Sequence, residues 1–513
     1  MPILGSIIKR AIELKGRSLR EERSISDPLL AQEKVLRKLL MKARDTAIGE
    51  FYQFDEILQQ KDVIRAFQEG MPVHDYNSIF RKWWYRTLNG EPFVSWPGRT
   101  RYFALSSGTS EASSKYIPVT SDMLRSIKRV SIRQIFSLAR YRFPRDFFEK
   151  GILMLGGSTH LQYNGTFYEG DLSGITAGNI PFWFQHFYKP GKRISKERDW
   201  NTKLDEIVRK APDWDIGVIV GVPAWLQILL ERIIERYGLN HIHEIWPNLS
   251  IYVHGGVSFG PYEKGFRKLL GKPITYIETY LASEGFIAFQ SRPDTQSMQM
   301  VVDNGLFFEF VPFNDRNFDA NGEMVNEPET LTIGQVEEGK EYALLLSTCA
   351  GAWRYLIGDT IKFTDLTRNE IIITGRTKHF LSICGEHLSQ ENMNRAIELV
   401  ESDLNVGIRE FTVAGVEYGS MFAHQWYLGT DAEIDPELVR QAIDGHLKVL
   451  NDDYRVERIA AIKDVIVHIL PSQVFYDWMK MKGKEGGQHK FPRVLKGENL
   501  RSWEAFLFDK GLM

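Results

Sequence analysis

Three short runs in this chain share one grammar. GILMLGG (151–157), DIGVIVG (215–221) and SIYVHGG (250–256) each hold an unbroken apolar stretch that closes on glycine. Helical patterns follow, as at 223–237 and 261–270. A strand apolar on both faces must be covered on both faces, and helices arriving between such strands are the usual cover. Repeated strand, glycine turn and helix therefore predict a large α/β domain with mainly parallel sheet. In such sheets ligands bind outside the carboxyl ends of the strands, where these glycines fall.

The rest of the chain is organised around that domain. Asp27-Pro28 reads as an N-cap and first helical residue, and the apolar stripe after it predicts a helix to about Gly49. A second helical pattern covers 120–140. Beyond residue 300 the pattern turns β-rich, with LFFEFVPF (306–313), EYALLLSTC (341–349) and DTIKFTD (359–365). A smaller α+β unit closes the chain, with helices expected at 389–401 and 436–450, the second capped by Asp435. Its strands are expected at 411–416, 424–430 and 464–470. A chain of 513 residues is too long for one core. We divide it into a large domain over 1–375, a hinge at 376–379 and a small mobile domain over 380–513.

Composition excludes several partners. There are 64 basic and 66 acidic residues, so no positive excess points to nucleic acid. No apolar run approaches the roughly 20 residues of a membrane span, so no integral membrane segment is expected. Lys9, Arg10 and Glu13 break the apolar start of the chain, which excludes the core of a signal peptide and leaves an amphipathic helix that packs on the body or touches a membrane loosely. Cys349 and Cys384 are the two cysteines, too few for a disulfide framework and without metal-ligand spacing. A cytoplasmic protein is expected.

Five segments carry the chemistry. LSSGTSEASSKYIPVT (105–120) is rich in hydroxyls, with Gly108 and Lys115. Backbone N–H groups of a glycine turn, hydroxyls and a lysine make a donor surface for phosphate oxygens. The Walker A spacing is absent, and the composition equally suits a surface turn. In ETYLASEGFIAF (278–289), Tyr280 and Glu284 are placed to set an aromatic face and a carboxylate beside one nucleotide, the carboxylate a hard oxygen ligand for Mg²⁺. The same spacing is common on an exposed helical turn. In GAWRYLIGDTIKF (351–363), Asp359 follows a glycine between two strand-like pieces, where it could accept from a ribose diol or simply sit in a β-turn. GRTKHFLSICGEHL (375–388) offers Arg376 to phosphate or ribose, and Lys378 suits a hinge. MKGKEGGQHKFPRVLKG (481–497) is a glycine-rich loop carrying Lys490 ahead of Pro492.

In order and spacing these segments resemble the adenylate-forming superfamily that includes firefly luciferase. Within it they are most similar to the acyl acid–amido synthetases of the auxin-responsive-promoter family. Ser106-Ser107-Gly108-Thr109-Ser110 with Lys115 and Pro118 resembles that family's SSGTS…K-x-x-P. Tyr280-Leu-Ala-Ser283-Glu284 is similar to Y-G-x-T-E, Trp353-Arg354-Tyr355-Leu-Ile-Gly358-Asp359 to Y-R-Y-x-x-G-D, and GQHKFPR (487–493) to Q-Y-K-x-P-R. GVPAW (221–225), VHGGVS (253–258) and NGLFFEF (304–310) support the likeness, which spans roughly residues 30–500.

The resemblance implies an ATP- and Mg²⁺-dependent ligase. It would join a small carboxylic acid to AMP and then pass the acyl group to an amine, typically of an amino acid. By the same likeness Ser106, Ser107, Gly108, Thr109 and Lys115 serve the phosphates, Tyr280 packs on adenine, and Ser283 contacts the α-phosphate. Asp359 binds ribose, Arg376 belongs to the nucleotide site on either its phosphate or its ribose side, Glu284 holds the metal, and Lys490 bridges acid and α-phosphate, delivered by rotation of the small domain about Lys378. Two other readings remain: an adenylate-forming relative that uses coenzyme A or a carrier thiol, and a non-catalytic nucleotide binder. The aromatic stretch PFWFQHFY (181–188) suits either an acyl pocket or core packing. The acid, the amine and the oligomeric state are not legible.

Overall fold

The computed structural model describes residues 10, 27–107, 114–141, 143–144, 146–180, 184–256, 259–319, 322–377, 380–386, 388–482 and 491–513. By internal contacts the chain forms two compact units. One comprises Met1–Ser106 and Tyr116–Thr377, the other Ser107–Lys115 and Lys378–Met513.

In the first unit, the Asp27 side chain caps the helix Pro28–Ala43 by accepting from Leu30 N at 2.9 Å. Its buried stripe of Val35, Leu36, Leu39, Leu40 and Ala43 follows the helical repeat. The helix stops at Ala43 and does not run to Gly49. Thr46 takes an extended backbone and caps a separate short helix, Ala47–Phe51, by accepting from Gly49 N at 3.2 Å. Gly49 is packed so tightly on the end of the first helix that a Cβ there would stand 2.1 Å from the Ala43 carbonyl oxygen. One buried polar residue joins this helix to the sheet. Gln32 donates to Val302 O and Leu306 O and accepts from Phe308 N at 2.7 Å, which satisfies its amide inside the core.

Strands β1 (Tyr102–Ser107) and β2 (Ser114–Val119) combine with β4 (Gln162–Tyr163) and β5 (Tyr168–Gly170) into a four-stranded sheet in the order β2-β1-β5-β4. The principal sheet has eleven strands. Its parallel half contains β3 (Gly151–Leu155), β6 (Tyr188–Lys189), β7 (Ile216–Gly221), β8 (Ile251–Gly255) and β9 (Thr275–Ala282). Its antiparallel half contains β10 (Gly285–Phe289), β11 (Met298–Met300), β12 (Leu306–Pro312), β13 (Glu341–Thr348), β14 (Tyr355–Asp365) and β15 (Glu370–Arg376). The order is β12-β13-β14-β15-β11-β10-β9-β8-β7-β3-β6. The expected mainly parallel sheet and the expected β-rich part are thus one mixed sheet, because the tight β9–β10 hairpin reverses direction without leaving it. The three glycine-ended runs are β3, β7 and β8, and the helices Pro223–Tyr237 and Glu263–Leu269 follow the latter two. After β3 the chain makes β4 and β5 before its next helix, Leu172–Gly178, so the strand–helix grammar is interrupted there.

A buried ion pair ties the antiparallel half together. Arg354 and Glu309 are 4% and 1% exposed. Arg354 Nη2 and Nε lie 2.9–3.2 Å from the Glu309 carboxylate. The other guanidinium donors reach Gln68 O, Met71 O and Thr330 Oγ1. Such a pair persists because every donor is satisfied. Arg354 takes a left-handed backbone (φ 42°), and Ser347 Oγ accepts its N–H at 2.9 Å. His74 bridges the same segment: its N–H donates to Arg354 O and its carbonyl accepts from Leu356 N, both at 2.8 Å.

The second unit contains a hairpin pair, β16 (Phe380–Leu381) with β17 (Leu388–Ser389), and a three-stranded sheet. In the latter β18 (Glu410–Tyr418) pairs antiparallel with β19 (Met421–Gly429), which pairs parallel with β20 (Ile462–Leu470). Ser389 and Asn392 form a capping box on the helix Gln390–Leu404, and Asp435 caps Pro436–Leu450. Helices at Asp452–Ala460, Ser472–Met481 and Gly497–Asp509 complete the unit. Just after the glycine-rich loop, Phe491 is buried against Phe475, Trp478 and Trp503, and Arg493 binds Glu410 at 2.7 Å. Val494 bridges Val413 on β18.

Two outcomes are expected. Glu309→Ala strands the Arg354 charge in the core and should cost about 3–5 kcal/mol, read as a lower denaturation midpoint; a loss below about 1 kcal/mol would mean that water replaces the lost partner. Burial lowers the His74 pKa from 6.5 to about 4, so the unfolded chain binds the proton that the folded chain refuses. Stability from this group is complete above pH 6.5 and falls as pH drops towards 4. Melting temperature against pH should fall less steeply in that window for His74→Gln than for the parent; parallel curves would contradict the assignment.

Candidate active site

Strand β9 is the last parallel strand, and its carboxyl end turns directly into β10 through Ser283 and Glu284. Alternation along a strand puts Glu278 and Tyr280 on one face. The Tyr-x-x-x-Glu spacing is therefore a strand leading into a hairpin turn, where Glu284 is only 7% exposed. The helical-turn alternative does not occur.

Asp359 lies inside one continuous strand, β14, and not in a turn between two. Gly358 makes this possible. Its φ of 91° is open to glycine, and a Cβ there would meet Arg376 Nη2 at 3.3 Å. The Gly358 carbonyl accepts from Thr377 N at 2.9 Å. Across the ladder Asp359 stands opposite Arg376 on β15. Arg376 Nε is 3.2 Å from Asp359 Oδ1, and its Nη2 donates to Ile357 O. Tyr280 Oη donates to Asp359 Oδ2 at 2.5 Å.

The electrostatics follow from this packing. Burial, then the Asp359 charge, pushes the Tyr280 hydroxyl well above its usual pKa and keeps it a donor. Burial opposes the Arg376 charge, but Asp359, Tyr280 and Glu284 outweigh it and raise the guanidinium pKa. Glu284 also bears on Tyr355, which burial raises first and Glu284 second. Tyr280, Glu284, Asp359 and Arg376 are thus one coupled cluster drawn from three strands and one turn. Asp359 keeps a lone pair on each oxygen beyond these contacts, so it can still accept from a diol.

The remaining expected residues are placed less closely. Ser283 is the first residue of the β9–β10 turn. Lys115 is half-buried on β2, next to Tyr116, whose N–H donates to Tyr76 Oη at 2.9 Å. Ser106 and Ser107 end β1. Gly108, Thr109, Lys378 and Lys490 lie outside the described residues. Sequence reasoning passed over Tyr76 and named Tyr355 only within a motif. A legible signal was available for the first: Asp75 and Ser78 form a capping box that fixes the turn bearing Tyr76. Neither cysteine is in a disulfide, and both are buried. Among the described residues no three of His, Cys, Asp or Glu group as a metal cage, and no helix is long and apolar enough to cross a membrane.

Comparison with known proteins puts this geometry in context. Residues 20–205, 299–373 and 391–499 match the GH3 family N-terminal, central and C-terminal domains, between them more than half of the chain. The chain belongs to the GH3 family. The GH3 central domain match contains Asp359, while the Tyr280–Glu284 hairpin falls between matched segments. The chain is 26% identical over 285 residues to a probable indole-3-acetic acid-amido synthetase, GH3.9, of Oryza sativa subsp. japonica, covering 50% of this chain and 62% of the relative. It is 28% identical over 191 residues to the jasmonoyl–L-amino acid synthetase JAR4 of Nicotiana attenuata, covering 35% and 32%. These matches span less than two thirds of the relatives' own length. In fold it is similar to GH3.15 acyl acid amido synthetase, with TM-score 0.58 and 17% identity over 95% of each chain. It is also similar to 2-hydroxyisobutyryl-CoA ligase, with TM-score 0.55 and 13% identity over 94% of this chain and 92% of that one.

Asp359→Ala removes the acceptor shared by Tyr280 and Arg376. It should weaken ATP binding by tenfold or more, on the order of one charge-assisted bond, while leaving affinity for the acid little changed. Equilibrium titration with ATP checks this, and unchanged ATP affinity would remove Asp359 from the nucleotide site.

Proposed function

We propose that this GH3 protein is an ATP-dependent acid–amine ligase. The Tyr280–Asp359–Arg376 cluster beside Glu284, at the carboxyl end of the last parallel strand, is the observation that carries this reading. A carboxylate is a poor electrophile, so amide formation first needs a good leaving group. One oxygen of the acid attacks the α-phosphorus of ATP and expels pyrophosphate, leaving an acyl-AMP. An amine nitrogen then attacks the acyl carbon, AMP departs with the bridging oxygen, and the amine's proton is lost to solvent. The family relatives support a small acid and an amino acid as the two organic substrates.

The protein's contribution is orientation and charge. Asp359, held from both sides by Tyr280 and Arg376, accepts from the ribose hydroxyls. Its fixed direction matters because the Tyr280 hydrogen bond and the Arg376 charge hold the carboxylate while each oxygen keeps a lone pair for a diol. Tyr280 is 5% exposed and commits its hydroxyl to Asp359, so its first task is to aim that carboxylate, with any packing on the base made by the little ring surface left open. The hydroxyl-rich segment 106–109 with Lys115, and Ser283 in the turn, receive phosphate oxygens.

Mg²⁺ commonly takes one or two protein carboxylates and fills its other positions with phosphate oxygens and water. Glu284, a single acidic side chain in a tight turn, fits that demand and would hold the ion. When bound, Mg²⁺ neutralises phosphate charge.

Lys490 is assigned to the acid and the α-phosphate in the first step, delivered by rotation about 376–379 of the smaller domain, 380–513, against the larger, 1–375. Directly after Lys490 in sequence, Phe491 packs in an aromatic cluster and Arg493 binds Glu410. Two cysteines outside any disulfide suit a reducing cytoplasm.

Pyrophosphate exchange with a panel of carboxylic acids tests the first half-reaction, and product analysis with amines or coenzyme A tests the second. Amides support the reading; thioesters would make the protein an acyl-thiol ligase, and absence of exchange with every acid would make it a nucleotide binder. Lys490→Ala should abolish acyl-AMP formation and largely spare amide formation from supplied acyl-AMP. Equal loss of both halves would contradict the role given to Lys490.

A further inference from the structure

The chemistry above leaves a buried carboxylate of the second unit unused. Glu386 and His424 are both fully buried, with Glu386 Oε1 and His424 Nε2 2.9 Å apart. The same carboxylate accepts from the Ile383 and Cys384 N–H groups at 2.9–3.0 Å and from Cys384 Sγ at 3.2 Å. Burial opposes its charge, but His424 and these N–H groups outweigh burial and bring the pKa down to about 2. An ionised carboxylate only accepts, so His424 Nε2 is the donor. Glu457 goes the other way: burial, then the charge on Glu386, raises its pKa well above the usual range. Of the two buried carboxyls, Glu386 carries the charge.

These contacts close the turn between β16 and β17 and seat it on the three-stranded sheet. In the β18–β19 ladder Gly415 stands directly opposite His424, so both lie on one face. Ile383 fills the space that Gly415 leaves open: a Cβ on residue 415 would fall inside the Ile383 side chain. Gly415 has no positive φ, so the glycine supplies room for Ile383 and not backbone freedom. Two residues earlier on the same strand, Val413 takes up the chain that leaves the glycine-rich loop. Its N–H donates to Arg493 O at 3.0 Å, and its carbonyl accepts from Leu495 N at 2.9 Å. Strand β18 thus holds, at neighbouring positions, the turn that follows residues 376–379 and the segment that follows Lys490.

We propose that Glu386 is a positioning residue for acyl-AMP formation: its carboxylate locks the turn onto β18 and β19, so that the hinge segment and the Lys490 loop move as one body. This inference rests on the reading of 376–379 as a hinge and of Lys490 as the lysine of the first step. A lysine delivered by rotation arrives only as accurately as the path from hinge to loop is stiff. A displacement of about 1 Å costs on the order of 100-fold in rate. The path here is short: the turn, the stretch of β18 from Gly415 to Val413, then Arg493. A buried charge suits the task, because releasing it would leave the carboxylate and its donors unsatisfied together. Amide formation from acyl-AMP uses no lysine in the reading above, so it does not depend on that stiffness.

The test compares the two half-reactions in the full-length protein and in Glu386→Gln, Gly415→Ala, and Gly415→Ala combined with Ile383→Ala. Glutamine keeps the shape and removes the charge. Alanine at 415 lifts the turn without taking a polar group from the core, and alanine at 383 removes the atoms it would strike. In Glu386→Gln and Gly415→Ala, kcat for pyrophosphate exchange should fall about 10- to 100-fold. The KM for ATP and amide formation from supplied acyl-AMP should both stay within about twofold of the parent. The double variant should recover most of the lost exchange. Should Glu386→Gln not fold, the two variants at Gly415 decide. A change that only lowered the folded fraction would reduce both half-reactions alike, so equal loss in both overturns the proposal. Full exchange in Gly415→Ala, or a double variant no better than Gly415→Ala, would do the same. Absence of exchange from the parent with every acid overturns the ligase reading and this inference with it; the other adverse outcomes overturn the inference alone.

Discussion

The pairing of Arg354 with Glu309 is the constraint on which the candidate site depends. Two charges inside a core cannot be left half-solvated, so the guanidinium must keep all its acceptors, and these come from the helical region near residue 70, from β12 and from Thr330. The backbone pays for this with a left-handed arginine, a conformation L-residues seldom adopt, immediately before β14. Tyr355, Gly358 and Asp359 follow within five residues on that strand. Their placement is inherited from the ion pair, because a shift of one residue in a strand would turn Asp359 to the opposite face.

A second consequence comes from the mixed sheet. Its parallel half gathers strand carboxyl ends at one edge, and the β9–β10 hairpin lets the antiparallel half continue from that edge without a crossover. Tyr280, from the parallel half, can therefore touch Asp359, from the antiparallel half, although 79 residues separate them. Neither half would assemble the cluster alone. The β8–β9 ladder of the same sheet sets Glu278 opposite His254 in register.

Much of this was legible beforehand. Glycine-ended apolar runs announced β3, β7 and β8, and the aspartates before Pro28 and Pro436 announced their helices, because these signals act within a few residues of chain. The motif residues Tyr280, Glu284, Asp359 and Arg376 stood out by chemistry and by resemblance. What stayed hidden had remote causes. The helix after Pro28 breaks at Ala43 because Thr46 caps a new one and because residue 49 lies against the carbonyls that end the first. Arg354 was read as part of a motif and Glu309 stands in the NGLFFEF run, yet they lie 45 positions apart and no local signal pairs them. Gly358 looked like a turn residue, whereas its freedom at positive φ keeps a strand running beneath an arginine.

The sequence by itself determined the element types and the succession of a large α/β part and a smaller α+β part. These follow from short-range rules of periodicity, capping and backbone freedom. Only the tertiary structure decided that the two sheet regions are one and that Asp359 lies between Tyr280 and Arg376. Each of those outcomes depends on which distant strands become neighbours, and pairing between strands is settled by burial of the whole core and not by any local stretch of chain.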